Sequence, residues 1–267
     1  MHHGSSSVCE NRDMKQNDEH TEVRHLVIYG YTRKELANIM RHFEEHLPEY
    51  VKVTIDNSNL VTRVTLTGVH SGIELLRFKM NKYHRDLSEI FSEETVCTDD
   101  RTIAQVLGDL LAERELTVSC AESCTGGNIA HRITQIPGSS GYFLGSVVSY
   151  SNNVKADVLK VSRRDISEYG AVSRPVAESM ARGVSALMQT DCAISTSGIA
   201  GPDGGSRLKP VGTVWLAAKY KDTVVSECIH FKGDRNEVIE SATNHAMNML
   251  INLLRHTYVE QEDISDE

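Results

Sequence analysis

Residues 121–127, AESCTGG, set two hydroxyls, a thiol and two glycines between an apolar run and the start of a helical pattern. A loop of this composition at a helix start can present a nucleophile, Ser123 or Cys124. The backbone amides beginning at Cys124 could hold a phosphate or a developing oxyanion, because a helix N-terminus favours negative charge. The same residues also read as an ordinary helix cap, with Ser123 or Thr125 accepting from an amide and the glycines making the turn.

Three further clusters carry chemistry. YSNNVK (150–155) gathers a phenol, an amide and an amine at a strand end. A lysine buried there would lose proton affinity through desolvation and could serve a serine as general base, although a solvated helix lysine fits the spacing equally well. SGIAGPDGGSRLKPVGT (197–213) is a glycine-rich loop after a buried strand, placed where open α/β sheets bind ligands. It lacks G-x-G-x-x-G and the P-loop ending, so neither dinucleotide nor triphosphate binding follows. KGDR (232–235) puts Arg235 at the start of the last helix. There it could clamp a phosphate through two parallel hydrogen bonds, or pair with Asp234 and cap the helix.

Two strings resemble metal or serine-enzyme motifs without their context. His42-Phe43-Glu44-Glu45-His46 fits H-x-x-E-H, but the apolar face of that helix is Leu36, Ile39, Met40, Phe43 and Leu47, which leaves His42 on a solvated flank. Ser206-Arg207-Leu208-Lys209 fits S-x-x-K inside a glycine-rich loop without its companion motifs. The six cysteines form no C-x-x-C pair and several lie in apolar runs, so reduced thiols are expected and no metal site.

The elements that must position these residues fall into two grammars. Residues 22–98 read strand, helix, a hairpin turning at 57–59, and a long helix from Ile73 to Ile90: a small α+β domain whose sheet is covered by two helices on one face. Residues 99–258 alternate instead. A helix near 103–111 precedes strand 116–122, a helix ending at Pro137, strand 144–150, a short helix at 151–161 and a longer one at 174–190. Strand 191–198, a strand pair joined at Lys221-Asp222 and a final helix complete the domain. This order predicts a three-layer α/β/α domain with a mixed, partly parallel sheet. Residues 1–21 are polar and aperiodic, read as disordered or as a cloning remnant, and residues 259–267 form an acidic tail.

With 40% hydrophobic and 24% charged residues the chain has a globular composition. Of its net charge of -9, five acids sit in the last nine residues, so the body is only about 4 units negative and carries no global field for nucleic acid or an anionic membrane. No apolar run reaches the roughly 18 residues of a membrane span and no signal peptide is visible, which gives a cytoplasmic expectation.

Taken together, AESCTGG, PGSSGYFLGSVVSYSNNVK, YGAVSRPVAESMA, SGIAGPDGGSRLKPVGTVW and GDR resemble, in order, the CinA C-terminal domain family, the nicotinamide mononucleotide deamidases also called PncC. The resemblance covers about 160 residues, from Asp99 to Thr257. It implies hydrolysis of the nicotinamide mononucleotide carboxamide to nicotinate mononucleotide and ammonia, with Ser123 as nucleophile, Lys155 as base, Tyr150 as a supporting hydroxyl and no cofactor. It further implies that Thr125, Gly126, Ser139, Asn152, Ser197, Gly198, Gly201, Gly204 and Arg235 line the nucleotide site. Where the family usually has threonine, Ser197 keeps the hydroxyl and loses a methyl.

Residues 1–98 are too short for the molybdopterin-binding-like domain of full-length relatives. Residues 22–98 resemble a KH-type domain without its G-x-x-G loop, which suggests packing or homodimerisation rather than nucleic-acid binding. A non-catalytic sensor of a pyridine nucleotide or phosphate is the alternative reading of the same cleft. It would need the glycine loop and Arg235 but neither Ser123 nor Lys155.

Overall fold

The computed structural model describes residues 19–265, with side chains through Thr257. Its first sheet is formed by β1 (His20–Tyr29), β2 (Val51–Ser58), β3 (Val61–His70) and β4 (Thr95–Cys97), all antiparallel, in the order β2-β3-β1-β4. Helices α1 (Arg33–Glu44) and α2 (Ile73–Ile90) cover one face. Thr32 starts α1 through a reciprocal capping box with Glu35, and the α1 face of Leu36, Met40 and Phe43 is buried, as its periodicity predicts. Asn59 and Leu60 take positive φ at the β2–β3 hairpin, matching the twist of the strands they join.

Two features of this half depart from the sequence reading. β1 begins at His20, which pairs with His70, so the strand reaches into the segment set aside as polar lead. β4 is an unforeseen fourth strand; three residues are too few to show a period. The rest of the polar lead, residues 1–18, lies outside the described residues.

The second sheet has the order β6-β5-β7-β8-β9. Its strands are β5 (Val118–Glu122), β6 (Phe143–Val148), β7 (Cys192–Gly198), β8 (Thr213–Tyr220) and β9 (Thr223–His230). β5 runs parallel to both β6 and β7, whereas β7, β8 and β9 pair antiparallel, giving the mixed sheet that was expected. Every residue of β5 is buried, which suits the apolar and small residues Val118 to Ala121 and leaves Glu122 as a buried carboxylate at the strand end.

On one face lie α3 (Ile103–Glu113), α4 (Asn128–Thr134) and α8 (Arg235–Ser265), packed against Val118, Cys120, Ile194 and Leu216. The opposite face, with Ala121, Ala193 and Ala217, receives α7 (Arg174–Met188) beside the short α5 (Asn152–Asp157) and α6 (Arg163–Tyr169). α6 was not read from sequence. Pro175 in the first turn of α7 costs no hydrogen bond there.

The first sheet is not an appendage. Val27, Tyr29, Val96 and Cys97, on the face away from α1 and α2, belong to the same buried cluster as Leu107, Met247 and Leu250. Arg255 in α8 donates to the carbonyls of Thr95 and Val96, and Tyr29 Oη lies 2.8 Å from His245 Nδ1. Among the described residues no helix is long and apolar enough to cross a membrane.

Candidate active site

Ser123 follows the last residue of β5, held there by its own amide donating to Thr196 O on neighbouring β7. Lys155 reaches the same point from α5, which Ser151 starts by accepting from the Val154 amide. Lys155 is 1% exposed, and its Nζ lies 3.0 Å from Ser123 Oγ, 2.7 Å from Ser149 O and 3.5 Å from Tyr150 O. No carboxylate pairs with it among the described residues. Desolvation therefore dominates and pulls its pKa below the ordinary lysine value of 10.5.

As an ammonium, Lys155 can donate to all three oxygens. Once it gives up a proton, two N–H groups can stay on the carbonyls and the lone pair can face the Ser123 hydroxyl. Of the two readings left open for Lys155, its burial excludes the solvated helix residue.

An open cavity of about 250 Å³ lies over this pair, at the carboxyl ends of β5 and β7 where open α/β sheets place their ligands. Tyr150, Asn152, Ser197, Gly198 and Arg235 join Ser123 and Lys155 in its wall. At Gly198 a Cβ would stand 2.6 Å from Val214 Cγ2, so only glycine lets β7 and β8 approach at the rim. Cys124, Ala200 and the pair Ala171-Val172 also line it. That last pair gave no chemical signal in sequence.

Other residues assigned to the site by resemblance stand elsewhere. Thr125 is 3% exposed; its hydroxyl donates to Glu122 Oε2 and meets Thr196 Oγ1, so it braces the loop from below. Gly126 and Gly127, with φ +63 and +102, make the turn and leave the cavity wall to others. Gly201 contributes a carbonyl that accepts from Arg235 Nη1 at 2.6 Å, and Gly204 lies exposed in the outer loop.

Ser139 sits in a 3-10 turn leading into β6. Because β5 and β6 are parallel and Phe143 pairs with Val118, that turn is at the opposite end of the sheet from Ser123 within one chain.

The end of α4 itself is not open to an outside anion. The carboxylate of Glu122, fully buried, accepts from the amides of Gly127, Ile129 and Ala130 and from the hydroxyls of Thr125 and Ser146. The positive helix end is thus satisfied from within. Among the described residues, the Thr125 amide, two residues past Ser123, is taken by no backbone hydrogen bond. Sequence reasoning missed Glu122 because it reads as a strand terminus.

Burial pushes the Cys124 thiol up to about 12, which weakens it as a nucleophile beside Ser123.

Arg235 is positioned by contacts other than its neighbour Asp234. Asp234 Oδ1 caps α8 by accepting from the amides of Asn236 and Glu237, while Arg235 holds Gly201 O and reaches Tyr150 Oη at 3.3 Å. The two decoys stay decoys. His46 Nδ1 turns to His42 O, and Lys209 Nζ donates to Tyr169 O, away from Ser206. Among the described residues no group of His, Cys, Asp or Glu could hold a metal ion.

A three-layer α/β/α sheet with a buried serine–lysine pair at its parallel strand ends defines a class of protein. The model of the CinA C-terminal domain matches residues 100–254, and the chain belongs to that family. A CinA-like protein of Flavobacterium psychrophilum is 37% identical over 234 residues, covering 87% of this chain and 56% of that protein. A competence-damage inducible protein of Moorella thermoacetica is 48% identical over 158 residues, 59% of this chain and 38% of its own. The chain thus spans about half the length of the Flavobacterium relative.

Among solved structures, the competence/damage-inducible protein CihA of Agrobacterium tumefaciens aligns with TM-score 0.56 and 38% identity, covering 57% of this chain and 93% of its own. A CinA superfamily protein of Klebsiella pneumoniae aligns with TM-score 0.56 and 31% identity, covering 58% and 99% respectively.

Proposed function

We propose that this chain is an amidohydrolase that deamidates nicotinamide mononucleotide, with Ser123 as nucleophile and Lys155 as its general base. The observation that carries this reading is the 3.0 Å contact between Ser123 Oγ and a buried lysine that has no counter-ion among the described residues. A carboxamide is a weak electrophile with a poor leaving group, so it needs an activated nucleophile, a place for the oxyanion and a proton for ammonia.

Ser123 Oγ attacks the carboxamide carbon as Lys155 Nζ takes its proton. The C=O π pair moves onto oxygen, toward the backbone amides of Cys124 and Thr125. Collapse of the tetrahedral intermediate breaks the C–N bond, and the Lys155 ammonium returns the proton to the departing nitrogen, releasing ammonia. Water then attacks the acyl-serine, with Lys155 again accepting a proton and passing it to Ser123 Oγ as nicotinate mononucleotide leaves. The pyridinium charge of the substrate withdraws electrons from its own amide, which lowers the demand on a two-residue dyad.

The cavity is small for a whole nucleotide. The ring would enter it, while ribose and phosphate lie along the rim marked by Asn152 and Arg235. Ammonia release from nicotinamide mononucleotide, compared between wild type and Ser123→Ala, tests the reading. Release by the wild type that Ser123→Ala abolishes supports it, and no release by the wild type refutes it.

A further inference from the structure

A second cavity, about 480 Å³, opens between the first sheet and helices α3, α4 and α8. Its volume falls within the range of small-molecule sites, and the site above shares no residue with it. Three guanidiniums line it, from Arg63, Arg101 and Arg132, against one carboxylate, Asp56.

The three arginines are not equivalent. Arg101 spends its nitrogens on Asp99 and Asp109. Arg132 commits one Nη to Glu240 and keeps its remaining N–H groups. Arg63 makes no hydrogen bond or ion pair among the described residues, although Asp56 stands opposite it on the β2–β3 ladder. A partnerless guanidinium inside a cleft, on a chain with a net charge of -9, is a cation held ready for an anion from outside.

The remaining wall fixes the class of that anion. Val27, Ile103, Ile136 and Met247 line it with apolar side chains, and the side-chain amides of Asn59 and Gln135 line it as well. Apolar lining, amides and guanidinium fork match a planar base, its hydrogen-bonding groups and a phosphate. We infer that this cleft binds a nucleoside monophosphate, with the phosphate on Arg63 and Arg132 and the base over Val27 and Met247. Because β3, α3, α4 and α8 all contribute, the ligand ties the hairpin of the first sheet to α4, the helix that follows the Ser123 loop.

The test is calorimetric titration of the full chain with AMP, GMP, CMP and UMP, and with inorganic phosphate, on wild type, Arg63→Gln and Arg235→Ala. Saturable binding of at least one nucleotide is expected, weakened about 10- to 150-fold by Arg63→Gln, as loss of charge-assisted hydrogen bonds implies, and unchanged by Arg235→Ala. Hydrogen exchange supplies a second readout: the bound nucleotide should protect residues 101–105 and 132–136 in the wild type.

No saturable binding of any of the four nucleotides overturns the inference, as does binding that Arg63→Gln leaves intact. Binding lost only in Arg235→Ala would place the ligand over Ser123 and overturn it too. Arg63-dependent binding of inorganic phosphate as tight as that of every nucleotide would overturn the assignment of a base.

Discussion

Lys155 Nζ sits closer to the Ser149 carbonyl, at 2.7 Å, than to the Ser123 hydroxyl, at 3.0 Å. The backbone that ends β6 therefore aims the amine, and the serine meets the direction left over. Mutation should expose this division of labour. Ser123→Ala and Lys155→Ala are each expected to lower kcat by about 1000-fold or more, with the double variant little worse than either, because members of one catalytic unit do not add. Single-turnover ammonia release measures all three, and a Ser123→Ala protein keeping more than about a tenth of the activity would exclude the serine as nucleophile.

The lowered pKa of Lys155 predicts two pH dependences. kcat/KM should rise with pH along a limb centred below 10.5, as the amine deprotonates, and Lys155→Ala should lose that limb. Stability should rise over the same window. Between the folded pKa and 10.5 the unfolded chain binds the extra proton, so raising pH favours the folded state. Urea unfolding of wild type and Lys155→Met across this range reads the difference, and equal slopes would contradict it.

Glu122→Gln should destabilise the protein by about 2 to 3 kcal/mol, since one acceptor oxygen facing backbone amides becomes a donor and charge-assisted hydrogen bonds are lost. Chemical denaturation gives the number. A change within about 0.5 kcal/mol, the range of ordinary surface substitutions, would show that the carboxylate is not what holds α4.

Arg235→Lys should not be conservative, because an ammonium cannot hold Gly201 O and Tyr150 Oη while also forking a phosphate. Arg235→Ala is expected to cost about 10- to 150-fold in kcat/KM on nicotinamide mononucleotide and far less on the riboside lacking phosphate. Equal losses on both substrates would assign Arg235 to holding the loop alone.

A chain beginning at Asp99 should keep the second sheet and the proposed turnover, since the CinA C-terminal domain alone accounts for residues 100–254. It should also lose thermal stability and self-associate, because Val27, Tyr29 and Val96 no longer cover Met247 and its neighbours. Melting temperature and size-exclusion chromatography check both, and an inactive fragment would make the first sheet part of the working site.

How far the sequence could be read depended on what each residue signals locally. Ser123, Lys155 and Arg235, each open to a plain structural reading by itself, were singled out together by the order of their motifs, and they do line one cavity. The roles of Glu122 and Thr125 were not legible: whether a side chain at a strand terminus turns to the cavity or under the loop depends on the register with β7, a contact more than 70 residues away. β4 was invisible for the same reason, being three residues that become a strand only by lying against β1. Ser139 was carried to the site by its motif, while the parallel pairing of β5 and β6 sends it to the other end.

The internal carboxylate at α4 has a consequence for timing. Since Glu122 gathers the Gly127, Ile129 and Ala130 amides during folding, the loop bearing Ser123 reaches its working shape before any ligand arrives. Binding energy need not be diverted to ordering it, so contacts to a substrate can be directed at the reacting group instead. Such a site resembles a rigid template more than a closing hand, and catalytic differences among variants should then appear in the chemical step rather than in a conformational one.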